Sequence, residues 1–185
     1  MMPEISLNIL DVAENSVRAQ ATLVEITVET DIRENRLRVW IKDNGCGMSR
    51  DQLEQVTDPF FTTRRTRKVG LGVPFFKMAA LSTGGDFQIM SEISKGTEVY
   101  AEFVLDHIDR MPLGDINSTI YTLICFHPDM DFCYTYRYDM REFVLDTRQM
   151  REILGGIPLD TPEVAGYIRE YLEENKKEVD GGAII

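Results

Sequence analysis

The sequence predicts an α+β fold, a two-layer α/β sandwich whose helices cover one face of a largely antiparallel sheet. Three observations carry this. Val24, Ile26 and Val28 alternate with polar residues, and so do Leu37, Val39 and Ile41, as half-buried strands do. A second pair of strand-like segments lies near Phe87–Ser91 and over Thr97–Leu105. Segments of helical period stand ahead of the first pair and between the two.

In chain order, Ser6 is placed to cap a first helix running to about Gln20, with Leu10, Ala13 and Val17 on its apolar face. The two strands that follow are joined by a polar turn from Asp31 to Asn35, and Asp43-Asn44-Gly45-Cys46-Gly47 ends the second. Ser49 and Gln52 have the spacing of a capping box at the start of a short helix. Residues 57–70 read as a loop rich in Thr, Arg and Gly. A helix from about Leu71 to Ser82 then stops at Gly84-Gly85. Beyond Met111-Pro112-Leu113-Gly114 the chain becomes aromatic and β-branched. Residues 118–126 and 131–146 are expected to form a hairpin turning near His127-Pro128-Asp129. Arg148–Leu154 reads as a short helix stopped by Gly155-Gly156, and Pro162 opens a helix of about 15 residues. The tail from Gly181 is expected to fray. Residues 1–108 are read as one domain and 109–185 as an α/β extension.

Composition excludes several classes. Of 185 residues, 20 are basic and 31 acidic, a net charge of −11 that argues against general binding to nucleic acid or membrane surfaces. No apolar run is long enough for a spanning helix, and Met1-Met2-Pro3-Glu4 does not open a secretory signal. Three cysteines, Cys46, Cys125 and Cys133, fit a reduced, cytoplasmic protein.

Chemistry-bearing residues concentrate in the first hundred positions. Asp11 and Asn15, spaced i, i+4, share a helix stripe with Asn8 and Arg18. A carboxylate, an amide and a cation in line suit a metal–phosphate site: Asn15 as a Mg²⁺ ligand, Asp11 orienting a nucleophile, Arg18 meeting a phosphate. A solvent-facing polar stripe is the alternative. Asp43, at a strand end, is placed to accept a hydrogen bond from an amino group on a flat heterocycle. Gly45 and Gly47 permit close backbone approach, although Asp-Asn-Gly also simply makes turns. Gly70-Leu71-Gly72 precede a helix whose first N–H groups can hold phosphate oxygens. Arg64, Arg65, Arg67 and Lys68 put positive charge just ahead of it.

The order of these segments resembles the GHKL superfamily (gyrase, heat-shock chaperone, histidine kinase, mismatch-repair ATPase), whose ATP-binding fold is the Bergerat sandwich. Leu10-Asp11-Val12-Ala13-Glu14-Asn15-Ser16-Val17-Arg18-Ala19 resembles the N box and Asp43-Asn44-Gly45-Cys46-Gly47 the G1 box. Asp58-Pro59-Phe60-Phe61 resembles the F box, Gly70-Leu71-Gly72 the G2 box, and Gly96-Thr97 the late Gly-Thr. The resemblance spans residues 5–105. It implies that Asn15 ligates Mg²⁺, that Asp43 binds the adenine amine of ATP, and that Thr97 supports adenine through water. It further implies that Gly70, Leu71 and Gly72 line the phosphates beneath a lid, residues 58–69, that brings Phe60, Arg64 and Lys68 to the nucleotide and is ordered by phosphate charge. The short lid looks like that of histidine kinases, whereas Glu14-Asn15-Ser16 with Ala19-Gln20-Ala21-Thr22 looks like the mismatch-repair branch. Asp11 stands where the family usually carries a glutamate base.

A two-helix phosphoacceptor domain is not expected, because only a few residues precede the first helix. His107 and His127 lie after the core and read as surface or turn histidines. Cys125, His127, Asp129 and Cys133 fit no four-ligand metal spacing. The expectation is a stand-alone Mg-ATP-binding, histidine kinase-like regulator. It would hydrolyse ATP or transfer phosphate to a separate protein, met through residues 109–185 or the lid, with its oligomeric state open. A non-catalytic ATP/ADP sensor and a dimeric conformational ATPase of the mismatch-repair kind are the alternatives.

Overall fold

The computed structural model describes residues 3–58 and 71–185. Alternating apolar side chains produce six strands: β1 (Leu23–Asp31), β2 (Arg36–Asp43), β3 (Asp86–Glu92), β4 (Gly96–Val104), β5 (Asp131–Tyr138) and β6 (Arg141–Asp146). They form one sheet in the order β3-β4-β2-β1-β5-β6. Its inner face carries Val24, Ile26, Val28, Leu37, Val39, Ile41, Val99 and Phe103, all buried. Helices α1 (Ile5–Arg18), α3 (Gly72–Ser82), α4 (Ile116–Phe126) and α6 (Pro162–Asp180) cover that face, with α1 between α3 and α4. Two short helices, α2 (Arg50–Val56) and α5 (Thr147–Leu154), complete the set. The two-layer α/β sandwich is therefore observed. The Ser49–Gln52 capping box of α2 is formed in both directions.

Several expectations are corrected. Residues 118–126 are not a strand but most of α4. Asp115 caps it by accepting from the Ser118 N–H, and Ile116, Thr119, Ile120, Leu123 and Ile124 are buried at helical spacing. Period 3.6 prevails over the β-branched composition because only a helix buries all five on one stripe. The hairpin consequently turns at Asp139-Met140, between β5 and β6. The sheet is largely antiparallel, as expected, with one parallel pairing: β5 runs parallel to β1, Leu23 opposite Asp131 through Thr30 opposite Tyr138. A parallel neighbour needs a crossover, and α4 provides it.

Ser6 does not cap α1. It is buried one residue inside the helix, and Glu4 occupies the cap position. The core stripe of α1 is Ile5, Ile9, Val12, Ala13 and Ser16, with Leu10 and Val17 only half-buried, because α1 is enclosed by two helices as well as the sheet. The tail is anchored rather than frayed: the Leu113 N–H donates to the Ile185 carbonyl at 2.7 Å, and Gly182 N–H donates to Asp180 Oδ1 at 2.8 Å.

Candidate nucleotide site

At the C-terminal end of β2, Asp43 is 8% exposed and both carboxylate oxygens are engaged. Oδ2 accepts from Ser16 Oγ at 2.6 Å, while Oδ1 accepts from the Gly45 N–H at 2.8 Å and the Thr97 N–H at 3.3 Å. The antiparallel register sets Asp43 opposite Thr97, so the end of β2, the start of β4 and the end of α1 meet at one carboxylate. Oδ2 retains an acceptor position that Ser16 leaves free, since each carboxylate oxygen accepts two hydrogen bonds.

The glycines make this packing feasible. Gly96 has φ +103, and a Cβ there would lie 1.9 Å from the Asp43 carbonyl oxygen. Gly47 has φ +67, and its Cβ would lie 1.9 Å from the Glu92 carbonyl oxygen. Gly45 lies flat against the end of α1, where a Cβ would meet Ala19 at 2.8 Å. Thr97 and Ser91 hydroxyls are 2.8 Å apart, and Ser91 Oγ accepts from the Met48 N–H at 2.8 Å. A cavity of about 230 Å³ at this end of the strands is lined by Asp43, Ser91, Gly96 and Thr97 together with Lys42, Met90 and Glu98.

On α1, Asp11 and Asn15 are both partly buried. Arg18 Nη1 donates to Asn15 Oδ1 at 3.0 Å, so the amide oxygen already faces a cation. Asn8 leaves the stripe: it is buried, its Nδ2 donates to the Glu4 carbonyl at 3.4 Å, and its Oδ1 has no partner among the described residues. The Asp11 side chain lies against the first residue of α3, where a Cβ on Gly72 would come within 2.7 Å of Asp11 Oδ2. Leu71 at the cap of α3 supplies no side-chain hydrogen bond, which leaves the first backbone N–H groups of that helix available to an anion.

Asp11, Asn15, Arg18, Asp43, Gly45, Gly47, Leu71, Gly72 and Thr97 are thus gathered around the Ser16 end of α1 and the start of α3. Phe60, Arg64, Lys68, Gly70 and the lid lie outside the described residues. Sequence reasoning missed Ser16 and Ser91. Ser16 follows Asn15 directly, and one step along a helix turns its hydroxyl 100° toward the sheet, a signal legible only once β2 is placed. It also missed Asn44, whose Oδ1 accepts from the Thr22 and Leu23 N–H groups at 2.9 and 3.0 Å and pins the loop to β1. His107 sits in a turn, its Nδ1 accepting from the Asp109 N–H. His127, at the end of α4, does more than make a turn: Nε2 lies 2.8 Å from Glu14 Oε1, tying α4 to the residue before Asn15. Among the described residues no group of three or more His, Cys, Asp or Glu is placed to hold a metal. Nor is any described helix long and apolar enough to cross a membrane.

Residues 4–107 match the family of histidine kinase-, DNA gyrase B- and HSP90-like ATPases, and the chain belongs to that family. A protein of Shewanella frigidimarina described as a sensor is 35% identical over 107 residues, 57% of this chain and 16% of that protein. Sporulation kinase D of Bacillus subtilis is 32% identical over 91 residues, 49% of this chain and 18% of the kinase. The matched region therefore spans less than a fifth of the curated relatives' length. The Aquifex aeolicus MutL ATPase domain complexed with ADP superimposes with a TM-score of 0.52 over 99% of both chains at 15% identity, a likeness of fold.

Proposed function

We propose that this domain binds Mg·ATP where α1, β2, β4 and the start of α3 meet, and uses it to act on a separate protein. The observation that carries the reading is the convergence on one site of a buried carboxylate with a spare acceptor position, Asp43, and a second carboxylate, Asp11, held against an uncapped helix N-terminus. Asp43 Oδ2 would receive the adenine amino group beside Ser16, and Thr97 would assist through water. The N–H groups at the start of α3 would meet phosphate oxygens. Asn15 Oδ1, which holds the Arg18 guanidinium, is a hard oxygen suited to Mg²⁺. Metal binding there would free Arg18 to meet a phosphate. When bound, Mg²⁺ supplies neutralisation of phosphate charge. Asp11 then orients and deprotonates the attacking water or hydroxyl. A partner met through residues 109–185 would act beside the site, since α4 packs on α1 and His127 bonds Glu14.

A non-catalytic nucleotide sensor is the second reading. It is favoured by the same Asp11–Gly72 contact, which equally describes a carboxylate that merely buttresses α3. Single-turnover release of labelled phosphate separates the two. Asp11→Asn should preserve ATP binding and slow hydrolysis or transfer by about 10²-fold, with and without cell extract as a source of partner. Identical rates in the variant and the wild type would leave the sensor.

A further inference from the structure

The sheet face away from the helices is open, and the strand registers arrange its side chains in rows that cross all six strands. One row, Gln88, Tyr100, Trp40, Thr27, Thr135 and Val144, is entirely uncharged. On one side of it lies a row of Asp86, Glu102, Arg38, Glu29, Arg137 and Glu142. On the other lie Met90, Glu98, Lys42, Glu25, Cys133 and Asp146. In the first charged row the arginines are spent internally: Arg38 pairs with Glu29 at 3.1 Å and Glu102 at 2.9 Å, and Arg137 pairs with Glu142 at 2.5 Å. In the second, Glu98, Glu25 and Lys42 make no ion pair within 4.0 Å among the described residues.

At the centre, the Trp40 and Tyr100 rings lie 5.2 Å apart, tilted by 42°, beside exposed Met90, around a cavity of about 480 Å³. The Tyr100 hydroxyl is held by Glu102 at 3.0 Å, and burial together with that carboxylate pushes its phenol up to about 12. The pair is thus fixed in place before any partner arrives. Tryptophan, tyrosine and methionine set in a concavity are the side chains that anchor protein interfaces. Acids outnumber bases in the two flanking rows, and Glu98 and Glu25, which make no ion pair among the described residues, lie on the Met90 side.

We propose that this face docks a basic amphipathic helix of a protein partner. Its apolar stripe would lie along the uncharged row, and its lysine or arginine side chains would reach Glu98 and Glu25 and stack on Trp40. Six strands make the row about 24 Å long, which about 16 helical residues cover. A second copy of this chain is a poor occupant, because a net charge of −11 opposes its approach to an acidic rim. The face borders the candidate nucleotide site, since Lys42, Met90 and Glu98 also line the cavity that reaches Asp43 and Thr97, but its test reads peptide binding and needs no nucleotide. It lies across the sheet from the inward-pointing Asp43, although Trp40 and Lys42 share β2 with it.

Trp40 is the single tryptophan, so its emission reports this face directly. The probe is an 18-residue helical peptide with leucine on one face and flanking lysines; the control peptide carries glutamate in place of lysine. The lysine peptide should shift Trp40 emission saturably to the blue, and the glutamate peptide should not. Tyr100→Ser should weaken binding about tenfold or more. Glu98→Gln and Glu25→Gln, mild changes on the surface, should each weaken it about threefold, while Glu163→Gln on α6 makes the same charge change elsewhere and should leave it unaltered. The proposal is overturned by an absent emission shift, by equal shifts with both peptides, or by Glu98→Gln and Glu25→Gln variants that bind like wild type. Sedimentation showing a Trp40-dependent dimer without peptide would also overturn it, assigning the face to a second copy.

Discussion

Where β2 and β4 meet α1, buried polar groups are linked to one another and left one acceptor short of full use. Ser16, Asp43, Thr97 and Ser91 form a chain of hydrogen bonds that opens on a cavity. Where β5 and β6 meet α6, the polar groups around Asp180 close on one another, although the buried Tyr134 hydroxyl has no partner among the described residues. Tyr136 and Lys176 both donate to Asp180 Oδ2, at 2.9 and 2.6 Å, and the Gly182 N–H takes Oδ1. Burial raises the Asp180 carboxyl, but these three donors outweigh it and hold it below the ordinary carboxylate range. Around it Tyr134, Tyr136 and Phe143 pack ring against ring. The glycines differ in the same way. Gly96 and Gly47 are pressed against carbonyl oxygens, whereas Gly155, Gly156 and Gly166 have nothing within 4 Å. The first region is shaped to admit something, and the second to hold the sheet's far edge in place.

The sharpest way to break this contrast is Gly96→Ala. Its Cβ would collide with the Asp43 carbonyl at a φ that alanine tolerates poorly, costing about 3 kcal/mol or more. The melting temperature should fall by roughly 6–12 °C; an unchanged melting curve would show that the loop can yield. Asn15→Ala comes next. It removes the proposed metal ligand and should weaken ATP binding in Mg²⁺ about tenfold or more, with little loss in EDTA. Equal losses in the two buffers, by calorimetry, would take the metal away from Asn15. The smallest effect belongs to the extension. Gly166→Ala lies mid-helix in open space and should stabilise by about 0.5–1 kcal/mol, which chemical denaturation can read; destabilisation would mean that α6 has an unseen neighbour.

The motif region was legible because its constraints are local. Spacing put Asp11 and Asn15 on one stripe, Asp43 at a strand end, and Ser49 and Gln52 in a capping box, all as found. What remained hidden depends on tertiary placement. Ser16 gains its partner only when β2 lies beneath α1, and Asn8 is buried only because α1 is enclosed on three sides. In the extension, Thr, Ile and Tyr at 118–126 carry β propensity, which hid a helix whose burial pattern is set by α1 and α6. The parallel register of β5 against β1 has no local signal at all.

The central claim, that Asp43 is the adenine-binding carboxylate, meets its most direct test in calorimetry of Mg·ATP binding to wild type and Asp43→Asn. Oδ1 accepts two backbone N–H groups, so the asparagine oxygen is retained there and its NH₂ takes the Oδ2 position. Ser16 can turn to accept from it, which preserves the fold. The adenine amino group would instead meet a donor, at a cost of about 1–3 kcal/mol, or roughly 5–150-fold in affinity. A variant that melts like wild type and has lost ATP binding by this margin is the predicted result. A variant that binds ATP as tightly as wild type would contradict the claim.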